Sequence, residues 1–176
     1  MRVKSIAVTG YRRILCPIDT SECSRSAVRE ALGLARRFGA TLEVLHVHHV
    51  PAYVQPSILV WAAVGPRPLW EVAEEQAKTE VDQFLSAFSA EDRGALTVSY
   101  EVGDAANVIV QRAKTSGVDL LVLGTHGRTG ARRVVLGSVA ERVVRLAPCP
   151  VLVVPMSDSG GRDDDRGRAA PEGEPK

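Results

Sequence analysis

Apolar and polar positions follow two rhythms along this chain, and they alternate. Short apolar runs with strand character occur at Arg13–Ile18 (R-I-L-C-P-I), Thr41–Val47 (T-L-E-V-L-H-V), Leu96–Val102, Val118–Leu123 and Val151–Val154 (V-L-V-V). Between them apolar residues recur at spacings of three and four. Ala27, Val28, Ala31, Leu32, Ala35 and Phe38 mark a helix from about Ser24 to Phe38. Leu69, Val72, Ala73, Ala77, Val81, Phe84, Leu85 and Phe88 mark a longer one over Leu69–Phe88, and two more are predicted at Ala105–Thr115 and Val139–Leu146. The stop and start signals agree. Ser21 or Ser24 can cap the first helix and Gly39 end it; Asp104 can cap the third, and Pro148 stops the last. Pro17 is expected at the end of its strand, because it cannot donate to a ladder.

Strands alternating with helices, with no strand pair joined by a tight two-residue turn, predict right-handed crossovers. The fold class is therefore α/β: a doubly wound five-stranded parallel sheet, flavodoxin-like or Rossmann-like, with helices on both faces. Ligands in such sheets bind beyond the carboxyl ends of the strands, where strand order reverses. Asp19 and the Gly124–Gly130 turn both fall on that edge. Residues 1–10 are expected to be an N-terminal extension, 11–156 the folded domain, and 157–176 a disordered polar tail with too little apolar surface to offset the entropy of ordering. Val50–Pro68 fits neither rhythm: four prolines forbid a long helix, yet it is too apolar for a solvated linker, so it is expected to cover a pocket or pack on a partner chain.

Composition narrows the function more than the fold. A net charge of +1 gives no basic footprint for nucleic acid and no attraction to anionic membranes, and no apolar stretch is long enough to span a bilayer. Three cysteines without a C-x-x-C suit free thiols in a reducing cytoplasm. The expected setting is cytoplasmic.

The candidate chemistry is concentrated in one stretch, Gly124–Ser138: G-T-H-G-R-T-G-A-R-R-V-V-L-G-S. A glycine-rich turn after a strand, followed by a helix start, can direct backbone amides at an anion. Glycine admits close approach and positive φ; Ser138 can cap the helix and donate its hydroxyl. Arg128, Arg132 and Arg133 can reach phosphates or simply form a solvated basic loop, and His126 lies within the same turn. His46, His48 and His49 lack a carboxylate or cysteine to complete a metal set, so no protein-held metal is expected. Ser159–Asp163 (S-G-G-R-D) is followed by a charged tail rather than a helix, and neither G-x-x-x-x-G-K-[ST] nor G-x-G-x-x-G is present.

The spacing G-x2-G-x9-G-S formed by Gly124, Gly127, Gly137 and Ser138 resembles the nucleotide-binding signature of the universal stress protein (UspA) family. The flanks V-D-L-L-V-L-G-T-H-G-R-T-G and G-S-V-A-E-R-V-V-R-L-A-P-C-P-V-L-V-V, and the front segment R-I-L-C-P-I-D-T-S, resemble the same family. The resemblance implies strand order 3-2-1-4-5, a homodimer made through Val151–Val154, and membership of the ATP-binding subgroup; apart from the resemblance, Asp19 is a carboxylate that can help hold Mg²⁺ arriving with ATP. It implies that Gly124, Gly127, Gly137, Ser138 and Val139 contact phosphate and ribose, that Pro17 and Asp19 lie near ribose and adenine, that the Val47 backbone meets the adenine edge, and that Leu123 precedes the loop. An apolar edge strand is independently a liability unless paired. No dedicated catalytic set for phosphoryl transfer is evident. The expected role is a nucleotide-dependent stress-response module. The alternatives are a slow ATPase or autophosphorylating protein with Ser138, Thr125 or Thr129 as acceptor, and a non-nucleotide structural dimer.

Overall fold

The computed structural model describes residues 10–48, 58–62, 65–125 and 136–156. Residues 1–9 of the expected 1–10 extension and the expected 157–176 tail lie outside them, as do the expected contacts Gly127, Arg128, Arg132 and Arg133.

Five parallel strands form one sheet: β1 (Arg13–Ile18), β2 (Thr41–His48), β5 (Leu96–Val102), β6 (Leu120–Gly124) and β7 (Val151–Val154), in the order β5-β2-β1-β6-β7. Counted along the sheet's own strands this is the expected 3-2-1-4-5, and the fold is the flavodoxin-like one. Because side chains alternate across a strand, β1 feeds two cores. Ile14, Cys16 and Ile18 pack with Val28, Ala31 and Leu32 of α1 (Glu22–Phe38) and with Val81 and Phe84 of α2 (Leu69–Leu85). Leu15 turns the other way, joining Ile109 and Ala113 of α4 (Ala105–Thr115) and Val143 of α5 (Ser138–Leu146).

The elements' ends follow local chemistry. Ser21 caps α1, accepting from Ser24 N at 3.2 Å, and Gly39 closes it at φ 65°. The helix thus starts at Glu22, earlier than periodicity implied. The α2 helix ends at Leu85 rather than Phe88, because Ser89 and Asp92 form a reciprocal capping box that begins the short α3 (Ala90–Gly94), an element absent from the expectation. Among the described residues no helix is long and apolar enough to cross a membrane.

One expectation fails outright. Within the irregular stretch, β3 (Leu59–Ala62) and β4 (Gly65–Pro68) pair antiparallel, Leu59 opposite Pro68 and Ala62 opposite Gly65, so a strand pair is joined with only two residues between. Pro66 and Pro68 occupy edge positions where no N–H is required, which is where a sheet tolerates proline. Arg67 fixes β4 to α2 through a two-pronged bond to Glu75 at 2.8 Å on each side, with Glu71 at 3.3 Å.

Two polar contacts orient α4, one half-buried and one exposed. Glu43 Oε1 on β2 accepts from Arg112 Nε at 2.9 Å and Nη2 at 2.7 Å, and from Ser99 Oγ at 2.6 Å. Arg142 on α5 donates to both oxygens of Asp104 and to Asn107 Oδ1, joining the first turn of α4 to α5.

The three thiols are free. Burial pushes Cys16 up to about 12 and Cys23 is also buried, while Cys149 is half-buried, its thiol raised by burial and by nearby Asp119. Thiol titration with a chromogenic disulfide at pH 8 should therefore label Cys149 in the native protein, more slowly than free cysteine, and Cys16 and Cys23 only at the rate of unfolding. Rapid native labelling of all three would contradict this core.

Candidate functional site

Strands β1 and β6 are neighbours, but their pairing is confined to Ile14 opposite Leu120 and Leu15 opposite Leu121, whereas β1 stays paired with β2 as far as Ile18 opposite His46. Pro17 lies inside β1, one residue from its end, and has no N–H to continue a ladder. The carboxyl ends of β1 and β6 part there. A cleft of about 270 Å³ occupies the gap, near the small end of the range for ligand pockets.

The cleft is lined by Pro17, Ile18 and Asp19 from β1 and the turn after it, Ser24 from α1, Val47 from β2, Ala105 and Ile109 from α4, Leu123, Gly124 and Thr125 from β6 and its exit, and Gly137–Ala140 at the start of α5. Every expected nucleotide contact among the described residues is there: Pro17, Asp19, Val47, Leu123, Gly124, Gly137, Ser138 and Val139. Ser24, Thr125, Ala105, Ile109 and Ala140 join them without having been singled out as ligand contacts. Their convergence follows from strand order and helix packing, which no local pattern encodes. Of these, Ser24 had a usable signal, because D-T-S-E-C-S places a second hydroxyl one helical turn behind the capping serine.

Asp19 is held rigidly. Its Oδ1 accepts from Ser21 Oγ and Ser24 Oγ, each at 2.6 Å, and from Ser21 N at 3.1 Å, while its own N–H donates to Ser24 Oγ at 3.1 Å. Thr20 between them adopts φ 64°, a left-handed conformation that costs a β-branched residue roughly 1–3 kcal/mol and that this network holds in place. Asp19 therefore supports the first turn of α1 as well as facing the cleft.

Gly124 has a packing reason besides any ligand. A Cβ there would stand 2.9 Å from the Cβ of Cys23 and 3.0 Å from its backbone carbonyl carbon, so β6 passes under the start of α1 only because Gly124 lacks a side chain. Beyond it the chain is stapled twice. Thr125 N donates to Val154 O at 3.0 Å, and Gly137 N donates to Thr125 O at 2.8 Å.

That second bond occupies one amide of the glycine signature, and the start of α5 corrects one expectation. The amide of Gly137 is already used within the protein. Ser138 is not the cap: Gly137 is the N-cap, without a side-chain hydrogen bond, and Ser138 is the first helical residue. The first helical bond of α5 runs from Glu141 N to Gly137 O at 2.8 Å, so the amides of Ser138, Val139 and Ala140 precede the ladder and face the cleft's end of the helix. Three helices begin at this cleft. The first, α1, is capped by Ser21 and α4 by Asp104, whose carboxylate accepts from Asn107 N at 3.0 Å. Only α5 presents its positive end without a side-chain cap.

Chemically, the cleft offers amide donors and a helix dipole in one place, a fixed carboxylate acceptor in another, and apolar walls from Val47, Ile109, Leu123 and Val139. His46 and His48 are not part of this cleft; their rings stack 6.4 Å apart, with His46 Nδ1 3.2 Å from Ile18 O. Among the described residues no group of three or more histidine, cysteine or acidic side chains could hold a metal.

Comparison with known proteins gives a consistent result. The profile of the universal stress protein family matches residues 10–155. Universal stress protein MJ0531 of Methanocaldococcus jannaschii is 36% identical over 147 residues, 82% of each chain. The structure of universal stress protein UspA from Lactobacillus plantarum superposes with a TM-score of 0.61 at 31% identity, covering 82% of this chain and 98% of that one. A universal stress protein in complex with cAMP shares the fold at 22% identity and a TM-score of 0.52, covering 85% of this chain and all of that one. The chain belongs to the universal stress protein family.

Gly124→Ala should cost on the order of 1–3 kcal/mol in chemical denaturation, with no ligand present, because the added methyl must push the start of α1 away from β6. An unchanged denaturation midpoint would mean that the glycine serves the ligand alone.

Proposed function

We propose that this member of the universal stress protein family binds an adenine nucleotide, ATP in the first instance, in the cleft between β1 and β6, and acts as a nucleotide-dependent stress-response module through a homodimer. The observation that carries the reading is the uncapped N-terminus of α5 opening on the same cleft as a fixed carboxylate. A carboxylate only accepts, and helix amides only donate. The ligand that answers both has an anion at one end, hydroxyl donors at the other, and a flat apolar body for Val47, Ile109 and Leu123. Ribose hydroxyls suit Asp19; a phosphate suits the amides of Ser138, Val139 and Ala140.

Asp19 is also the group that would help hold Mg²⁺ delivered with the triphosphate, since it is a fixed carboxylate on the cleft wall. The bound cAMP of the cited neighbour is in keeping with an adenine nucleotide in this fold. Gly127, Arg128, Arg132 and Arg133 belong to the proposed phosphate contacts by their place in the glycine signature and its loop. The adenine edge is assigned to the backbone of Val47 at the end of β2. Amide bonds to a charged oxygen contribute roughly 1.5–3 kcal/mol each, and after association costs a few of them give dissociation constants on the order of micromolar to millimolar. The function is binding; Ser138, Thr125 and Thr129 remain the hydroxyls on which incubation with γ-labelled ATP would reveal any phosphoryl transfer.

The dimer is assigned to β7. One sheet edge, β5, carries Thr97, Ser99 and Glu101; the other, β7, is V-L-V-V with all four residues half-buried and no charge to discourage pairing.

Two experiments test the reading. Nucleotide-stripped protein titrated calorimetrically with ATP, with and without Mg²⁺, should saturate. Ser138→Pro should lower the affinity about tenfold or more: proline suits the first helical position, and Gly137 at φ −63°, ψ 151° already has the conformation proline demands of its predecessor, so the main loss is an amide and a hydroxyl. Absence of a saturable signal at millimolar ATP would leave only the structural-dimer reading. Sedimentation of Val153→Lys should show loss of the β7 dimer; a mass identical to wild type at every concentration would remove β7 from the interface.

A further inference from the structure

The hairpin β3–β4 has an edge chemistry that its register makes explicit. Leu69 N donates to Ile58 O at 2.9 Å, so Ile58, Val60 and Ala62 turn their backbone groups inward to the partner strand. The alternate residues, Leu59 and Trp61, turn theirs outward. On β4 the outward positions opposite them are Pro68 and Pro66, which have no N–H. One edge of this two-stranded sheet is therefore sealed by proline. The other offers two N–H and two C=O groups, and among the described residues none of these is bonded.

The side chains repeat the asymmetry. Val60 and Arg67 share the face toward α2, to which Arg67 is tied by Glu71 and Glu75. Leu59, Trp61, Pro66 and Pro68 share the opposite face, a wholly apolar one; Leu59 is 59% exposed and Trp61 86% exposed. An apolar strand edge tethered firmly to a helix, with the indole in solvent, has the makeup of a contact surface.

We propose that β3 pairs antiparallel with β3 of a second copy of this chain, across a two-fold axis through Val60. The register is self-complementary. With Val60 opposite Val60, the outward residue Leu59 falls opposite Trp61 of the other copy, and Trp61 opposite Leu59. Both are hydrogen-bonded pairs, so all four outward groups of each edge are satisfied. On the exposed face each indole crosses a leucine, an aromatic–aliphatic pair of the kind that stabilises sheets. The product is a four-stranded sheet, β4-β3-β3-β4, with proline on both outer edges. That sheet has no open edge left for a third copy.

The occupant follows from that symmetry: a foreign strand would have to supply the same register, whereas this chain already carries it. The buried area sets the strength. Two tryptophans, each burying up to about 150–250 Å², two leucines and a short edge fall below the ~1,200 Å² of a standard stable interface. The contact is thus weak and concentration-dependent, and is distinct from the strand edge assigned to the homodimer.

Cross-linking tests it, because a residue on the axis meets its own copy and its neighbour does not. In a Cys149→Ser background, Val60→Cys should form a disulfide dimer under a glutathione redox buffer at least about tenfold faster than Leu59→Cys, whose Cβ faces position 61 instead. Circular dichroism checks that both variants fold. The difference should persist with Val153→Lys, and Trp61→Lys should abolish the concentration dependence that remains in sedimentation of the Val153→Lys chain. Val60→Cys that stays monomeric, or that cross-links no faster than Leu59→Cys, overturns the proposal, as does a Trp61→Lys chain that associates as before.

Discussion

The site depends on how two neighbouring strands fail to pair. Strands β1 and β6 share only the registers at Ile14 and Leu15, and from Pro17 onward the ladder has no donor to continue it. A residue with an N–H at that point could extend the pairing toward Ile18 and Leu123 and draw the two strand ends together. The proline keeps the switch point open, and Gly124 performs the complementary task on the other side, letting β6 pass within van der Waals contact of Cys23 so that α1 can sit directly on the cleft floor. One position withholds a hydrogen bond and the other withholds a side chain. Together they set a gap of fixed width whose walls are otherwise rigid core, since Ile14, Leu15, Leu121 and Val122 are almost wholly excluded from solvent.

Into that gap the fold directs three helix starts, and the side chains decide which one keeps its charge. Ser21 and Asp104 spend hydroxyl and carboxylate oxygens on α1 and α4, neutralising the amides that would attract an anion. Glycine at the same place on α5 supplies the turn and nothing more. Its own amide is diverted to Thr125 O, which fixes the entry angle of the helix and links it through Thr125 N to the end of β7. The orientation of α5 is therefore tied to the edge strand by two backbone hydrogen bonds, a short physical route between the cleft and the sheet edge.

Much of this is legible in the amino-acid sequence because most of it is local. The boundaries of β5, α4 and β7, and the cap at Asp104, coincide with those read from periodicity and turn chemistry, and Gly39 ends α1 where glycine should. The failures have equally specific causes. Phe88 stays buried although α2 stops at Leu85, which is why spacing alone carries that helix three residues too far, and the S-x-x-D of Ser89–Asp92 then caps a short helix that lies past the expected end. The prolines of Pro66 and Pro68 argue against a central strand but not against an edge one, and the hairpin exists because they lie only where no donor is needed. In the cleft, glycine, serine and aspartate carry local signatures. Ala105, Ile109 and Ala140 carry none, because their place in the wall is set by α4 and α5 packing on the sheet through Glu43–Arg112 and Asp104–Arg142.

Proline and glycine act in this chain as omissions placed where a full complement of backbone groups would produce the wrong contact. Pro17 prevents β1 from closing on β6; Pro66 and Pro68 prevent β4 from pairing outward; Gly137 leaves α5 without the side-chain cap its neighbours have. Measured against those omissions, the strand edges left unguarded stand out. The sheet edge at β5 is guarded by Thr97, Ser99 and Glu101, and the hairpin edge at β4 by two prolines, but β7 and β3 have neither charge nor proline along their paired length. An unguarded apolar edge invites aggregation unless something covers it. A chain that guards two of its edges and leaves two open has its strand contacts confined to those two, and each open edge has a guarded one behind it, so pairing leaves neither sheet a further open edge.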